Sequence, residues 1–257
     1  MRVAIVVPTL NEEATLSRTL PPALAAADEL VVSDGGSADR TVEVARELGA
    51  RIVSGPAGRG AQLNRGAAAT SAEILLFLHA DTTLPAGAVP AVRQAIAGGC
   101  GAGEARAPAA PVARANPANL VMDPVTPPGP VTPVVGGAFL MRFDDGRPLL
   151  QLGGWLINLR TRVSRLPLGD QAQFVTRDAF DRLGGYRDWP ILEDLDFAWR
   201  LRRHGRTVIL SQRVTTSGRR FVELGVTRTV ATNWLIWLLF VAGVSPRRLA
   251  RLYGQVR

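Results

Sequence analysis

Val3 to Val7 is an unbroken apolar run rich in β-branched residues, the pattern of a strand buried on both faces of a parallel sheet. Ile74 to His79 reads the same way, and Glu29 to Ser33 and Arg51 to Ser54 read as shorter strands. Between them the apolar spacing changes to a helical period. One helix is expected after Asn11, which is placed to cap it, with Glu12 and Glu13 favouring its positive end. Others are expected over Asp39 to Leu48, from the Gly55–Gly60 loop to about Thr70, and over Ala86 to Ala97. Strands alternating with helices predict an α/β chain with a Rossmann-like, mainly parallel sheet flanked by helices.

From Gly98 to Pro133 no period survives, and Gly, Ala and Pro dominate. This 98–133 segment reads as an irregular insertion, either a lid over a site or a surface loop. Order returns with a strand over Val134 to Phe143 and a helix over Leu149 to Ser164. A short helix follows over Arg177 to Leu183, stopped by Gly184-Gly185, and another over Leu192 to His204, stopped by Gly205. Thr207 to Leu210 reads as a strand, and Phe221 to Arg257 as a helical tail. Within the tail, Val230 to Val244 is an apolar run of 15 residues around Trp234 to Phe240, flanked by Arg228, Arg247 and Arg248. A bilayer-spanning helix needs about 20 apolar residues. The run therefore suits a buried or interfacial helix, open to a peripheral membrane contact or a homodimer.

The chain is 47% hydrophobic and 20% charged, enough to bury a full core and too little charge for wholesale disorder. Its 257 residues fit one large α/β domain with a helical appendage. The formal net charge is +8 and no lysine is present. Arginine suits bidentate contacts to phosphate, although GC-rich coding gives the same bias. Anionic ligands or an anionic membrane surface are the partners this charge favours. No basic patch interleaved with aromatics appears, so nucleic acid is not expected as a partner. The one cysteine, Cys100, excludes an internal disulfide and a cysteine-based zinc site, and points to a reducing compartment. No basic segment followed by a long apolar stretch stands at the start of the sequence. A cytoplasmic location, including the inner face of the membrane, is the expectation.

Asp34 and Asp81 stand just past the carboxyl ends of two expected parallel strands, the edge where open α/β sheets bind ligands. Such a pair can hold a divalent cation or a ribose; each can equally cap the turn that follows it, and Ser37 competes for that cap. Glu193 and Asp194 open an expected helix, where the dipole favours acids in any case. A carboxylate there can also serve as general base toward an acceptor hydroxyl.

Val6-Val7-Pro8-Thr9-Leu10-Asn11-Glu12-Glu13 and Val32-Ser33-Asp34-Gly35-Gly36-Ser37-Ala38-Asp39-Arg40-Thr41 resemble the opening of the family-2 glycosyltransferases. Gly58-Arg59-Gly60-Ala61-Gln62-Leu63-Asn64, Phe77-Leu78-His79-Ala80-Asp81, Gly169-Asp170-Gln171 and Glu193-Asp194 follow in that family's order. Each segment is weak alone; their order is specific, and the resemblance spans most of residues 1–220. Gly169-Asp170-Gln171 and Thr216-Ser217-Gly218-Arg219-Arg220-Phe221 also resemble a compact subfamily associated with radical-SAM proteins.

The resemblance implies a GT-A catalytic domain over 1–220, a C-terminal helical segment over 221–257, and inverting glycosyl transfer from a nucleotide-diphosphate sugar. It favours a UDP-sugar, with Mg or Mn as cofactor and an acceptor that is a small molecule or lipid-linked. It implies a nucleotide-sugar pocket lined by Pro8, Leu10, Glu12, Asp34, Arg59, His79, Arg219 and Arg220. It further implies Asp81 as metal ligand, Asp194 as general base, and Asp170, Gln171 and Glu193 on the acceptor side. The sequence departs from the family at His79, which stands where the first acid of Asp-x-Asp is usual. Two other readings fit the same layout: a sugar-phosphate nucleotidyltransferase, and a non-catalytic nucleotide-sugar-binding protein at a membrane. The first is disfavoured by Pro8 to Glu12, which stand where a Gly-rich, Arg-containing loop is expected.

Overall fold

A computed structural model of the chain describes residues 1–98 and 133–256. Cys100 and the 98–133 insertion, apart from its two end residues, lie outside the described residues, as does Arg257. The first half runs β1 (Val3–Thr9), α1 (Glu13–Ala26), β2 (Glu29–Asp34), α2 (Thr41–Glu47), β3 (Arg51–Ser54), α3 (Arg59–Ala68), β4 (Ile74–Phe77), β5 (Thr82–Thr83) and α4 (Ala88–Gly98). The second runs β6 (Val134–Phe143), α5 (Pro148–Ser164), a 3-10 turn (Gly169–Gln171), β7 (Phe174–Thr176), α6 (Arg177–Leu183), α7 (Glu193–His204), β8 (Arg206–Thr216), α8 (Arg219–Leu224), α9 (Val226–Val241) and α10 (Pro246–Val256).

The strands form one sheet in the order β3-β2-β1-β4-β7-β6-β8-β5. The first four are parallel, as is the β6–β8 pair. β7 runs antiparallel to both β4 and β6, and β5 antiparallel to β8. These two strands carry no usable period in the sequence, because β7 has three residues and β5 two. β8 is also longer than its apolar run, because the mostly polar stretch Ser211 to Thr216 continues it along β6 and, at Thr215 and Thr216, along β5.

Alternation along β1 builds a three-layer structure. Val3, Ile5 and Val7 pack with Leu16 and Leu20 of α1 and Val89 and Val92 of α4, while Ala4 and Val6 face Leu63 of α3, Phe180 of α6 and Phe197 of α7. Asn11 does not cap α1: it sits at φ 55° and its Oδ1 accepts from Ala38 N–H at 2.9 Å, tying the β1 loop to the β2 loop.

Beyond Gly137, β6 pairs with β8 alone, and its other edge is closed by side-chain amides. Asn158 of α5 accepts from Met141 N–H at 2.9 Å and donates to Met141 O at 2.8 Å. Gln171 Nε2 donates to Phe139 O at 3.3 Å, and Gln151 Nε2 to Phe143 O at 3.4 Å. A buried strand edge left without such partners costs about 1–3 kcal/mol per group. These amides therefore fix α5 and the 3-10 turn against the half of the sheet that carries the second set of acids.

In the tail, Ile236 and Phe240 of α9 and Leu249 of α10 pack under Leu195 and Ala198 of α7. Trp234, Leu235 and Leu238 stay exposed on α9. No helix among the described residues is long and apolar enough to cross a membrane.

Candidate active site

The carboxyl ends of β1, β2 and β4 open on one side of the sheet, at the point where chain order reverses between β1 and its two neighbours. Gln62 of α3 fastens this edge. It is buried, and its Nε2 donates to Thr9 O at 2.8 Å and Ser33 O at 3.0 Å, carbonyls at the ends of β1 and β2. Arg65 adds a bond to Asp34 O at 2.8 Å.

Asp34 closes its own turn. Oδ2 accepts from Gly36 N–H at 2.8 Å and Ser37 N–H at 3.0 Å, and Oδ1 from Ser37 Oγ at 2.5 Å and Thr9 Oγ1 at 3.2 Å. Burial alone would raise its pKa; the hydrogen bonds from Ser37, Gly36 and Thr9 outweigh that and hold it below the ordinary carboxylate value. Pro8 and Leu10 flank this loop, Leu10 exposed at its rim. Glu12 accepts from Thr15 Oγ1 at 2.6 Å.

The segment after β4 carries His79 and Asp81. Thr19 of α1 holds it through Ala80 O at 2.6 Å, and Thr82 bonds Thr216 Oγ1 at 3.1 Å across β5 and β8. That pairing brings the end of β8 and Arg219 to the same edge, where the Arg219 charge acts on Asp81. Burial pushes the Asp81 carboxyl up, opposed by the Thr82 hydrogen bond and by Arg59 and Arg219. Burial, aided by the Arg59 charge, pulls the His79 imidazole down to about 3, so it stands neutral near pH 7.

The second set of acids arrives from the far half of the sheet. Asp194 Oδ2 accepts from Gly169 N–H at 2.6 Å and Oδ1 from Leu195 N–H at 2.7 Å. Gln173 holds Asp194 O at 3.2 Å and is itself bonded by Tyr186 Oη at 3.0 Å. A Cβ on Gly169 would lie 2.5 Å from His79 Nε2 and 3.2 Å from Asp194 Oδ2, so Gly169 lies against both His79 and Asp194. Glu193, 1% exposed, meets Arg59 at 3.4 Å; burial and the Asp194 charge push its carboxyl up against that pairing. Desolvation opposes the Arg59 charge, but Glu193, Asp194 and Asp81 outweigh it and keep the guanidinium's pKa above its ordinary value.

Asp170 completes the cluster. Its Oδ1 is buried without a hydrogen-bond partner, and burial together with the Asp194 charge pushes it up to about 6, with Arg160 of α5 opposing. Gln171 does not share this freedom. It is fully buried, and its amide is spent on Thr161 Oγ1 at 2.8 Å, Leu168 N–H at 3.1 Å and Phe139 O. Leu192, just before α7, and Ala172, just after the 3-10 turn, both hold left-handed backbone, at φ 63° and 47°. Such strain persists only where the surroundings impose it, and here it flanks the acids on both sides.

Asp81, Asp170, Glu193 and Asp194 thus gather around His79 and Arg59, with Asp34, Pro8, Leu10 and Glu12 along the β1–β2 end. Arg220 lies at the start of α8 by its backbone. Asp196, by contrast, serves packing: it bonds Arg200 at 2.7 Å and Arg187 at 3.3 Å. Sequence reasoning passed over Arg160 and Gln62. Arg160 sits on a helix face with no local sign of its neighbours, whereas Gln62 lies inside the quoted Gly58–Asn64 motif and its Gly-x-x-x-Gln spacing was the available signal.

The glycosyl transferase family 2 profile matches residues 4–102. Over a 96-residue alignment the chain is 38% identical to glucosyl-3-phosphoglycerate synthase of Mycobacterium tuberculosis, covering 32% of this chain and 30% of that one. Over 89 residues it is 36% identical to an uncharacterised glycosyltransferase of the same species, covering 34% of this chain and 40% of that one. The chain thus spans well under half the length of these curated relatives. The fold extends further than this matched region. Residues 1–349 of Staphylococcus aureus TarS superpose with a TM-score of 0.59 at 16% identity, covering 90% of this chain and 64% of that one. The M. tuberculosis synthase in complex with Mn2+, UDP and phosphoglyceric acid gives 0.53 at 23% identity, covering 95% and 79%. The fold is GT-A.

Proposed function

We propose that the protein transfers a glycosyl group from a nucleotide-diphosphate sugar to an acceptor hydroxyl, with inversion. The observation that carries this reading is the convergence of Asp81, Asp170, Glu193 and Asp194 at one sheet edge, from both halves of the chain. Two proteins of similar fold support it: the M. tuberculosis synthase is found in complex with UDP and Mn2+, and the mannosyltransferase of Pyrobaculum calidifontis in complex with GDP-Man and Mn2+. In this reading residues 1–220 are the catalytic unit and 221–257 a helical segment beside it.

Pro8, Leu10, Glu12 and the Asp34 turn would receive the nucleoside, UDP being favoured, and Arg59, Arg219 and Arg220 the diphosphate. Among the described residues no three acidic or histidine side chains form a metal cage. The donor set still fits Mg or Mn, which bind through one or two carboxylates and complete their shell with phosphates. Asp81, whose carboxyl is pushed up by burial, is the residue that would hold the ion. When bound, the ion would supply charge neutralisation at the leaving diphosphate. Neutral His79, packed against Gly169, adds no charge to the cluster. Asp194, oriented by Gly169 and Leu195, would take the proton of the acceptor hydroxyl as its oxygen bonds the anomeric carbon and the bond to diphosphate breaks. Asp170, Glu193 and Gln171 belong to the acceptor side, Gln171 by holding the loop that carries Asp170. The acceptor is a small molecule or a lipid-linked one.

A thermal-shift series with UDP-, GDP- and dTDP-sugars, with and without Mn, tests the reading. Stabilisation by one nucleotide that needs the metal is the expected result. No stabilisation by any of them would sink it, and pyrophosphate release from a nucleoside triphosphate and a sugar phosphate would replace it with nucleotidyl transfer.

A further inference from the structure

The outward face of α5 is a feature that the site leaves unused. Leu152, Trp155, Leu159 and Val163 follow one another at spacings of three and four, so they form one stripe along the helix. They are 52, 57, 44 and 78% exposed. Monomeric proteins seldom leave a continuous apolar stripe open without a use for it. At its border lies a cleft of about 150 Å³, with Leu140 at its floor, Trp155 and Leu159 on its wall, and Arg142, Arg162 and Arg213 around it.

Charge distinguishes this face from an ordinary helix surface. α5, β6 and β8 contain no aspartate or glutamate. No ion pair of Arg142, Arg162 or Arg213 occurs among the described residues; Arg142 reaches only Thr215 Oγ1, at 2.9 Å. The α9 helix, packed beside α5 near Gly153 and Val230, likewise contains no acid. Unopposed guanidinium groups bordering exposed tryptophan and leucine have one matching partner chemistry: anionic headgroups above an apolar layer. A second copy of the chain matches poorly. A two-fold contact would set this patch against itself, arginine facing arginine with no carboxylate to meet them.

We propose that the α5 face, with Arg142, Arg162 and Arg213, docks on the surface of an anionic lipid bilayer. Trp155 and its neighbours enter the headgroup boundary and the three arginines hold the lipid charge. The inference does not depend on glycosyl transfer, since none of these residues belongs to the acid cluster.

Flotation of the full chain with vesicles of phosphatidylcholine, with and without phosphatidylglycerol, tests it. The protein is expected to float with phosphatidylglycerol vesicles alone, and to be released at high salt. The combined R142E/R162E/R213E variant should lose about a hundredfold or more in vesicle affinity, the product of three cationic contacts to the lipid surface. Quenching of tryptophan fluorescence by brominated phosphatidylglycerol should fall in Trp155→Phe. If the glutamate variant melts early, the corresponding glutamine variant with wild-type melting decides. The proposal fails if the wild type ignores anionic vesicles, or if the charge variants float unchanged. It also fails if only Trp234→Ala and Leu238→Ala abolish binding, or if Trp155→Ala turns a dimer into a monomer.

Discussion

Asp34 and Asp170 are the same side chain at the same edge of one sheet, 136 positions apart in sequence. At Asp34 both oxygens are filled by Gly36, Ser37 and Thr9, and the carboxyl is held below its ordinary pKa. At Asp170 one oxygen is buried with no partner and the carboxyl is pushed up to about 6. A saturated carboxylate stabilises the loop it closes. An unsaturated one beside further acids is held there by the rest of the fold, at a cost in stability, and is available to a ligand. The Asp34 end is therefore built to keep its shape, and the acid cluster keeps a carboxyl open to a ligand.

The largest effect expected is at Asp194. Asp194→Asn should lower turnover by about 10²–10⁴-fold, the usual worth of a general base, while nucleotide affinity by calorimetry changes little. Unchanged turnover would remove the base assignment and leave the cluster as a binding feature. Asp34→Ala comes next. It orphans the donors of Gly36, Ser37 and Thr9 and should cost about 2–4 kcal/mol in urea unfolding. Asp170→Ala removes a carboxyl the fold holds at a loss and should cost much less; equal losses would erase the contrast between the two ends.

Gly169→Ala is a smaller probe. Its Cβ would crowd His79 Nε2 and Asp194 Oδ2, so a loss of about 1–3 kcal/mol in stability is expected, with a fall in turnover as Asp194 shifts. Wild-type turnover in a folded Gly169→Ala variant would show that the base position tolerates movement. The smallest effect is in pH dependence. Asp170 has a folded pKa of about 6 against an ordinary 3.8, so the native state binds more proton between these values. Its contribution to stability therefore declines as pH rises from about 4 to 6 and is flat above. Asp34 has the opposite sign, its contribution being present above the ordinary value and lost as pH falls below it. Asp170→Asn should make the decline between pH 4 and 6 shallower in a melting series, with Glu193 and Asp81, both raised by burial, keeping the remainder; an unchanged slope would place the proton elsewhere in the cluster.

Much of the first half was legible because buried parallel strands and their crossover helices write themselves as apolar runs and periods. β1 to β4, the acid that ends β2 and the acid just past β4 follow from that pattern alone. Asn11 was misread as a helix cap because nothing local shows that its amide reaches across to Ala38. β7 was invisible for a plainer reason: three residues cannot display a period, yet that strand reverses direction and joins the two halves of the sheet.

By itself the sequence determined the element order, the parallel core around β1 and the motif acids, because local propensity and burial patterns are encoded residue by residue. Only the tertiary structure decided which carboxylates are spent and which remain unsatisfied. It placed Gly169 between His79 and Asp194, and set Arg160 beside Asp170 through an edge closed by Asn158 and Gln171. The physical reason is that desolvation and charge coupling depend on distances between segments far apart in the chain. No local pattern carries those distances.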